Sequence, residues 1–335
     1  MFPSSRKSSM VVLAFLCAIA TASGAAFFGG SGKTSEPRNR GRELTLADLG
    51  VDGQRAYRYL QSICDIGPRP SGSEGMRQQQ ELLTTHFTQL GGKVSLQTFD
   101  IRHPLDGSRV SLANMLIRWH PERKERVIFA AHYDTRPYPD RDRRRPKGRF
   151  IGANDGGSGV AVLMELAHHL AKLDSPLGVD FILFDGEEFI FNDRDPYFLG
   201  SEHFARELAA DPAGHHYRWG VLLDMVGDAN LQIMQEQNSL RWPDTRPLVE
   251  DLWRVAKRLG VHEFINRTGH EIRDDHLAMR NIAKIPTCDI IDFDYPRSGA
   301  ASYWHTEQDT ADKCSALSLG KVGWVMLEWL RQLDK

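Results

Sequence analysis

The chain has 335 residues, 41% of them hydrophobic and 26% charged, which is enough apolar material for a large core and too much for wholesale disorder. Its 42 Lys and Arg against 44 Asp and Glu leave a formal net charge of -2, so a dedicated nucleic-acid binder, with its strong basic excess, is excluded. Of the four cysteines, Cys17 lies in an amino-terminal apolar run, and Cys64, Cys288 and Cys314 form no CxxC pair, so neither a disulfide-stapled scaffold nor a thiolate zinc site is expected.

Taken in chain order, residues 1–26 join Arg6 and Lys7 to the apolar run Met10–Ala22 and a small-residue exit, the parts of a secretory signal. Export to the periplasm or medium is expected, with an uncleaved anchor as the alternative and membrane contact only in that case. Residues 27–46 read as a flexible leader, and 47–335 as one catalytic domain. Apolar spacing predicts helices over 53–63 and Ser73–Leu90, and a β-hairpin of 94–102 with 109–119 around Asp106-Gly107. Arg126–Ala131, Gly178–Phe184, Trp219–Val226 and 287–293 read as buried strands. Helices are expected over 159–172, around 202–210, and over 247–259 and 316–333. Strands alternating with helices indicate an α/β fold with a mixed, mostly parallel sheet covered on both faces. The basic segment Arg136–Arg149 reads as a solvated, mobile rim.

Acids and histidines recur where these elements end. His132 and Asp134 follow one strand, Glu187 and Glu188 another, and Asp224 ends a third; Asp155 precedes a helix, Asp274-Asp275-His276 precede the strand near 287–293, and His305 follows it. Open α/β sheets bind ligands beyond the carboxyl ends of their strands, so these residues can converge. Carboxylates with imidazoles and no thiolates suit zinc acting as a Lewis acid. Adjacent side chains on extended backbone point apart, so Glu187 and Glu188 are expected to divide the labour, one binding metal and one moving protons. His168 and His169, within a helix, are read as structural, and the chain carries neither a GxSxG elbow nor an HExxH pair.

The strings HYDT at 132–135, GANDGGSG at 152–159, FDGEE at 184–188, LLDMVG at 222–227 and WHTEQDT at 304–310 resemble the zinc aminopeptidase superfamily, peptidase family M28. Asp274-Asp275-His276, Trp304 beside His305, and the long segment before LGSEHFA at 199–205 make it similar, within that family, to the glutaminyl-peptide cyclotransferases. The resemblance implies a three-layer α/β sandwich of the zinc aminopeptidase (phosphorylase/hydrolase-like) kind. It also implies one zinc per chain on Asp155, Glu188 and His305, with Glu187 as the proton shuttle. Asp224 and Asp275 would form a hydrogen-bonded acidic pair beside it, and Trp304 with His132 would contact substrate. The expected reaction closes an N-terminal glutamine of a peptide or protein to pyroglutamate with release of ammonia, by a monomer. The alternative is a two-zinc aminopeptidase in which His132 and Asp224 hold the second ion and Asp155 bridges. Gly156 stands where aminopeptidases commonly carry a second Asp. Asp193 stands where the animal cyclases carry a pocket Trp, whose place Tyr197 or Phe198 would have to fill.

Overall fold

The computed structural model describes residues 42–210, 216–293 and 303–333; the expected signal or anchor and most of the leader, residues 1–41, lie outside the described residues. Helix α1 (Gly53–Ile66) starts where Asp52 accepts a hydrogen bond from Arg55 N, and its buried stripe is Ala56, Leu60 and Ile63. Helix α2 (Glu74–Gln89), capped by Ser73, buries Met76, Leu83 and Phe87. Strands β1 (Lys93–Arg102) and β2 (Arg109–Trp119) form the antiparallel hairpin in full register. There follow β3 (Glu125–His132), α3 (Ser158–Leu170), β4 (Gly178–Phe184), α4 (Leu199–Ala210) and β5 (His216–Asp224). The chain continues through β6 (Ile233–Gln235), α5 (Gln237–Arg241), α6 (Arg246–Leu259), β7 (Phe264–Thr268), α7 (His276–Asn281), β8 (Thr287–Ile291) and α8 (Ala316–Gln332).

The main sheet runs β1-β2-β4-β3-β5-β8, with β4, β3, β5 and β8 parallel and the hairpin antiparallel along one edge. Strand β3 divides the two cores residue by residue. Val127, Phe129 and Ala131 face the layer of α1, α2, α3, α6 and α8, while Ile128 and Ala130 face Phe204 of α4 and Met279 of α7. This is the expected three-layer sandwich, and burial on both faces explains why β3 and β4 read as unbroken apolar runs rather than alternating ones. Each fully buried large side chain here contributes about 1.5–3 kcal/mol.

Strand β3 leads through α3 to β4 on one side, and β4 leads through α4 across to β5 on the other. The carboxyl ends of β3, β4 and β5 therefore open onto one crevice. Strand β5 ends earlier than expected, at Asp224, because Met225 takes a left-handed φ of 47° and turns the chain. The parallel pair β6–β7 and the short helices α5 and α7 were not legible, since three to six residues are too few to display a period. Among the described residues no helix is long and apolar enough to cross a membrane.

Candidate active site

The crevice is a cavity of about 490 Å³ walled by Asp155, Glu187, Glu188, Asp224, Trp304 and His305, among others. Each arrives from a different place: the turn into α3, the turn after β4, the end of β5, and the loop before α8, where His305 sits at a left-handed φ of 54°. A non-glycine residue held there is strained, and the surrounding contacts must enforce it. Ligand atoms of His132, Asp155 and Glu188 all lie within 4.8 Å of one another. His305 Nε2 lies 2.8 Å from Glu188 Oε1 and 3.4 Å from Asp155 Oδ2, while His132 Nε2 lies 3.2 Å from both Asp155 Oδ1 and Asp224 Oδ1. Asp155 thus stands between two imidazoles.

The residues fit a metal ion. Asp155 Oδ2, Glu188 Oε2 and His305 Nε2 are buried and have no aligned hydrogen-bond partner, although they crowd together. Buried polar atoms are almost always paired, so a convergent set of orphaned carboxylate and imidazole atoms marks a cation site.

Two further carboxylates build the frame. Asp134 accepts hydrogen bonds from Glu187 N (3.1 Å) and Glu188 N (3.0 Å), clipping the turn after β4. Asp309 accepts from Asn154 N (2.8 Å) and Asp155 N (3.1 Å), fixing the turn into α3. Glu187 Oε2 lies 3.9 Å from His132 Nδ1, whereas Glu188 pairs with Arg136 at 3.1 Å and sits against His305. The neighbours consequently differ in proton affinity. Burial, and next the charge of Glu188, push the Glu187 carboxyl well above its ordinary range. Burial also opposes ionisation of Glu188, but His305, Arg136 and His132 outweigh it and hold that carboxyl low. Burial and then Glu188 raise Asp155 to about 6, and burial of His305 is overridden by Glu188 and Asp140, leaving it at about 9. A bound cation would reverse the last two directions, favouring carboxylate and neutral imidazole.

Comparison with known proteins agrees with this frame. Residues 114–330 match the family model of peptidase family M28. The chain belongs to that family. The structure of Fimbriiglobus ruber glutaminyl cyclase is similar at a TM-score of 0.79 and 42% identity, covering 84% of this chain and 96% of that one. A Zn-dependent exopeptidase from Parabacteroides distasonis is similar at a TM-score of 0.76 and 32% identity, covering 84% and 98%. The glutaminyl-peptide cyclotransferase of Bos taurus is 26% identical over 245 residues, so the chain spans 64% of that relative's length.

Within this M28 scaffold, the expected residues Asp155, Glu187, Glu188, Asp224, Trp304 and His305 are brought together. Three expectations are corrected. His132, expected against substrate, is buried beneath the cavity floor with its Nε2 turned to Asp155 and Asp224. Asp274, not Asp275, is on the cavity wall beside Asp224 and Glu187; Asp275 lies behind it at the start of α7, with its backbone N bonded to Asp274 Oδ1 at 2.6 Å. Burial, and then Asp224 and Asp275, push Asp274 well above the usual carboxylate range. Adjacent aspartates look alike in sequence, and only the entry angle of α7 distinguishes them. Finally, the basic segment is not all rim. Arg136 is buried and bonds Glu188, Asp140 and Tyr197, and the Arg141 guanidinium stacks 3.9 Å from the Trp304 ring centroid. Its middle, Arg143–Arg145, is exposed.

The wall position of the missing tryptophan is shared by Asp193, Tyr197 and Phe198. Gly156 has a φ of 86°, and a Cβ there would approach Asp134 O to 2.4 Å, so an aspartate at this position would displace the frame that Asp134 builds.

Proposed function

We propose that the chain is a zinc-dependent glutaminyl-peptide cyclotransferase, acting on peptides or proteins with an N-terminal glutamine. The observation that carries this reading is the different placement of two adjacent carboxyls: Glu188 lies against His305 at 2.8 Å and Arg136 at 3.1 Å, whereas Glu187 stands on the cavity wall with Asp224 and Asp274. The 42% identity to a glutaminyl cyclase over nearly its whole length supports the same reaction. Asp155, Glu188 and His305 would hold one zinc, which when bound supplies Lewis-acid polarisation of the substrate's side-chain amide.

The other steps belong to the protein. Asp224 and Asp274 accept hydrogen bonds from the substrate's α-amine, which reacts in its neutral form, and Trp304 walls the glutamine side chain into the reactive rotamer. The α-nitrogen attacks the side-chain carbonyl carbon as Glu187 accepts the proton it loses. The carbon–nitrogen bond to the amide nitrogen then breaks, and Glu187 returns that proton so that ammonia leaves. Attack within one molecule needs no captured water, so orientation is the main demand on the site. The exported state and the monomer are part of the same proposal.

One observation favours a second reading. His132 Nε2 and Asp224 Oδ1 lie 3.2 Å apart with Asp155 between the two imidazoles, the arrangement a two-zinc exopeptidase would use. Incubation of purified protein with a Gln-initiated peptide separates the two by mass. Loss of one ammonia, with one zinc per chain, is expected; loss of the whole first residue, with two activity-linked zincs, would replace the cyclase reading by the peptidase one.

A further inference from the structure

The basic loop reaches the metal-side residues by two routes. Asp140 Oδ1 lies 3.2 Å from His305 Nδ1, an ion-pair contact lying off the line of the N–H. The same carboxylate receives the Arg136 guanidinium in a fork, Nε at 3.0 Å and Nη2 at 3.1 Å. Arg136 Nη1 in turn donates to Glu188 Oε1 at 3.1 Å, leaving Oε2 without a partner, and Nη2 also reaches the Tyr197 hydroxyl at 3.2 Å. Arg141 N bonds to His305 O at 3.1 Å, tying the loop to the strained histidine.

We infer that Asp140 and Arg136 are positioning residues that arrange His305 and Glu188 for the metal, Asp140 by selecting the imidazole tautomer and Arg136 by fixing the carboxylate rotamer. The inference rests on the ligand reading made above. An imidazole whose Nδ1–H faces a carboxylate presents the Nε2 lone pair on its other edge, and here that edge faces Asp155 and Glu188. A glutamate with one oxygen pinned by a guanidinium has a single free oxygen to offer, and it loses less rotamer entropy when it binds. The fork between Arg136 and Asp140 couples the two arrangements, so a loop whose composition reads as solvent-exposed forms the outer half of the ligand cradle.

The test is zinc affinity, measured on the full chain by competition with a chromophoric chelator, together with the absorption spectrum of the cobalt(II)-loaded protein. Asp140→Ala should weaken zinc by about 10- to 100-fold, the usual effect of losing an outer partner of a ligand. Asp140→Asn, which keeps an oxygen beside Nδ1 but lacks the charge, should fall between it and the parent. It also keeps the question answerable if the alanine variant does not fold. Arg136→Lys preserves the charge and removes the fork, so a several-fold loss there reports orientation alone. Both sets should alter the cobalt spectrum, which a residue supporting only the loop would leave unchanged. His305→Ala separates the two layers of the argument. If it binds zinc like the parent, the ligand reading has failed. If it loses zinc while Asp140→Asn and Arg136→Lys keep the parental affinity and spectrum, the positioning role is overturned by itself.

Discussion

Glu187 and Glu188 share a turn, a clip by Asp134 and a neighbouring position, yet their environments assign them opposite states. Substitution should therefore separate them. Glu187→Gln preserves size and keeps zinc but removes the proton shuttle, and turnover should fall by about 100-fold or more. Glu188→Gln should instead bind zinc poorly, because a neutral amide is a weaker ligand, and excess zinc should partly restore it. Zinc content and turnover of both variants, with and without added metal, check the assignment; a metal-free Glu187→Gln beside a metal-replete Glu188→Gln would invert it. Backbone geometry at Gly156 is equally local. Gly156→Ala forces a side chain into a left-handed φ and against Asp134 O, a cost on the order of 2 kcal/mol. Gly107→Ala, at a similar φ of 71° with open space around it, should cost less. The difference between the two melting temperatures isolates the steric part, and equal losses would mean that the frame around Asp134 yields freely.

Among the elements, the loop between β3 and α3 behaves as two parts. Its exposed middle carries Arg143, Arg144 and Arg145, and among the described residues their one ion pair is the 3.5 Å contact of Arg145 with Glu307. Neutralising all three should change turnover on a short neutral Gln-peptide by no more than about twofold, as for other surface substitutions. Any penalty should appear on acidic substrates and fade with salt. Arg141→Ala removes the cation from the face of Trp304, a contact worth about 0.5–2 kcal/mol, and should raise KM on the neutral peptide several-fold. Steady-state kinetics on the two variants decides whether the loop is divided in this way; equal effects would show that its middle also builds the pocket.

For the molecule as a whole, the buried polar groups behind the site set the response to acid. Glu236 caps α5 through Asn238 N and Ser239 N, accepts from Ile272 N at 3.0 Å, and lies 3.6 Å from His276. Burial raises its carboxyl, but His276 and these N–H donors outweigh burial and bring it down to about 2. A folded pKa below the unfolded value of 4.5 adds stability that is complete above pH 4.5 and lost as pH falls towards 2. Glu236→Gln should be less stable at neutral pH and show a flatter decline across that window in denaturant titrations; parallel curves for variant and parent would contradict it.

Much of this was legible in order along the chain. The buried strands, the capped helices, and the placement of His132, Asp155, Glu187, Glu188, Asp224 and His305 at their ends follow from local pattern and from the rule that α/β sites lie beyond the strand ends. Those signals are short-range, so one chain is enough to read them. What the sequence could not decide was direction and distance. Whether Asp274 or Asp275 meets the cavity depends on how α7 enters, whether His132 touches substrate or lies beneath the floor depends on the register of β3 against β5, and neither is encoded within a few residues. The loop is the clearest case. Its charge marks it as solvated, but Arg136 and Asp140 find partners 52 and 165 positions away, at Glu188 and His305, and only the closed tertiary structure supplies counter-charges that make burying that arginine favourable.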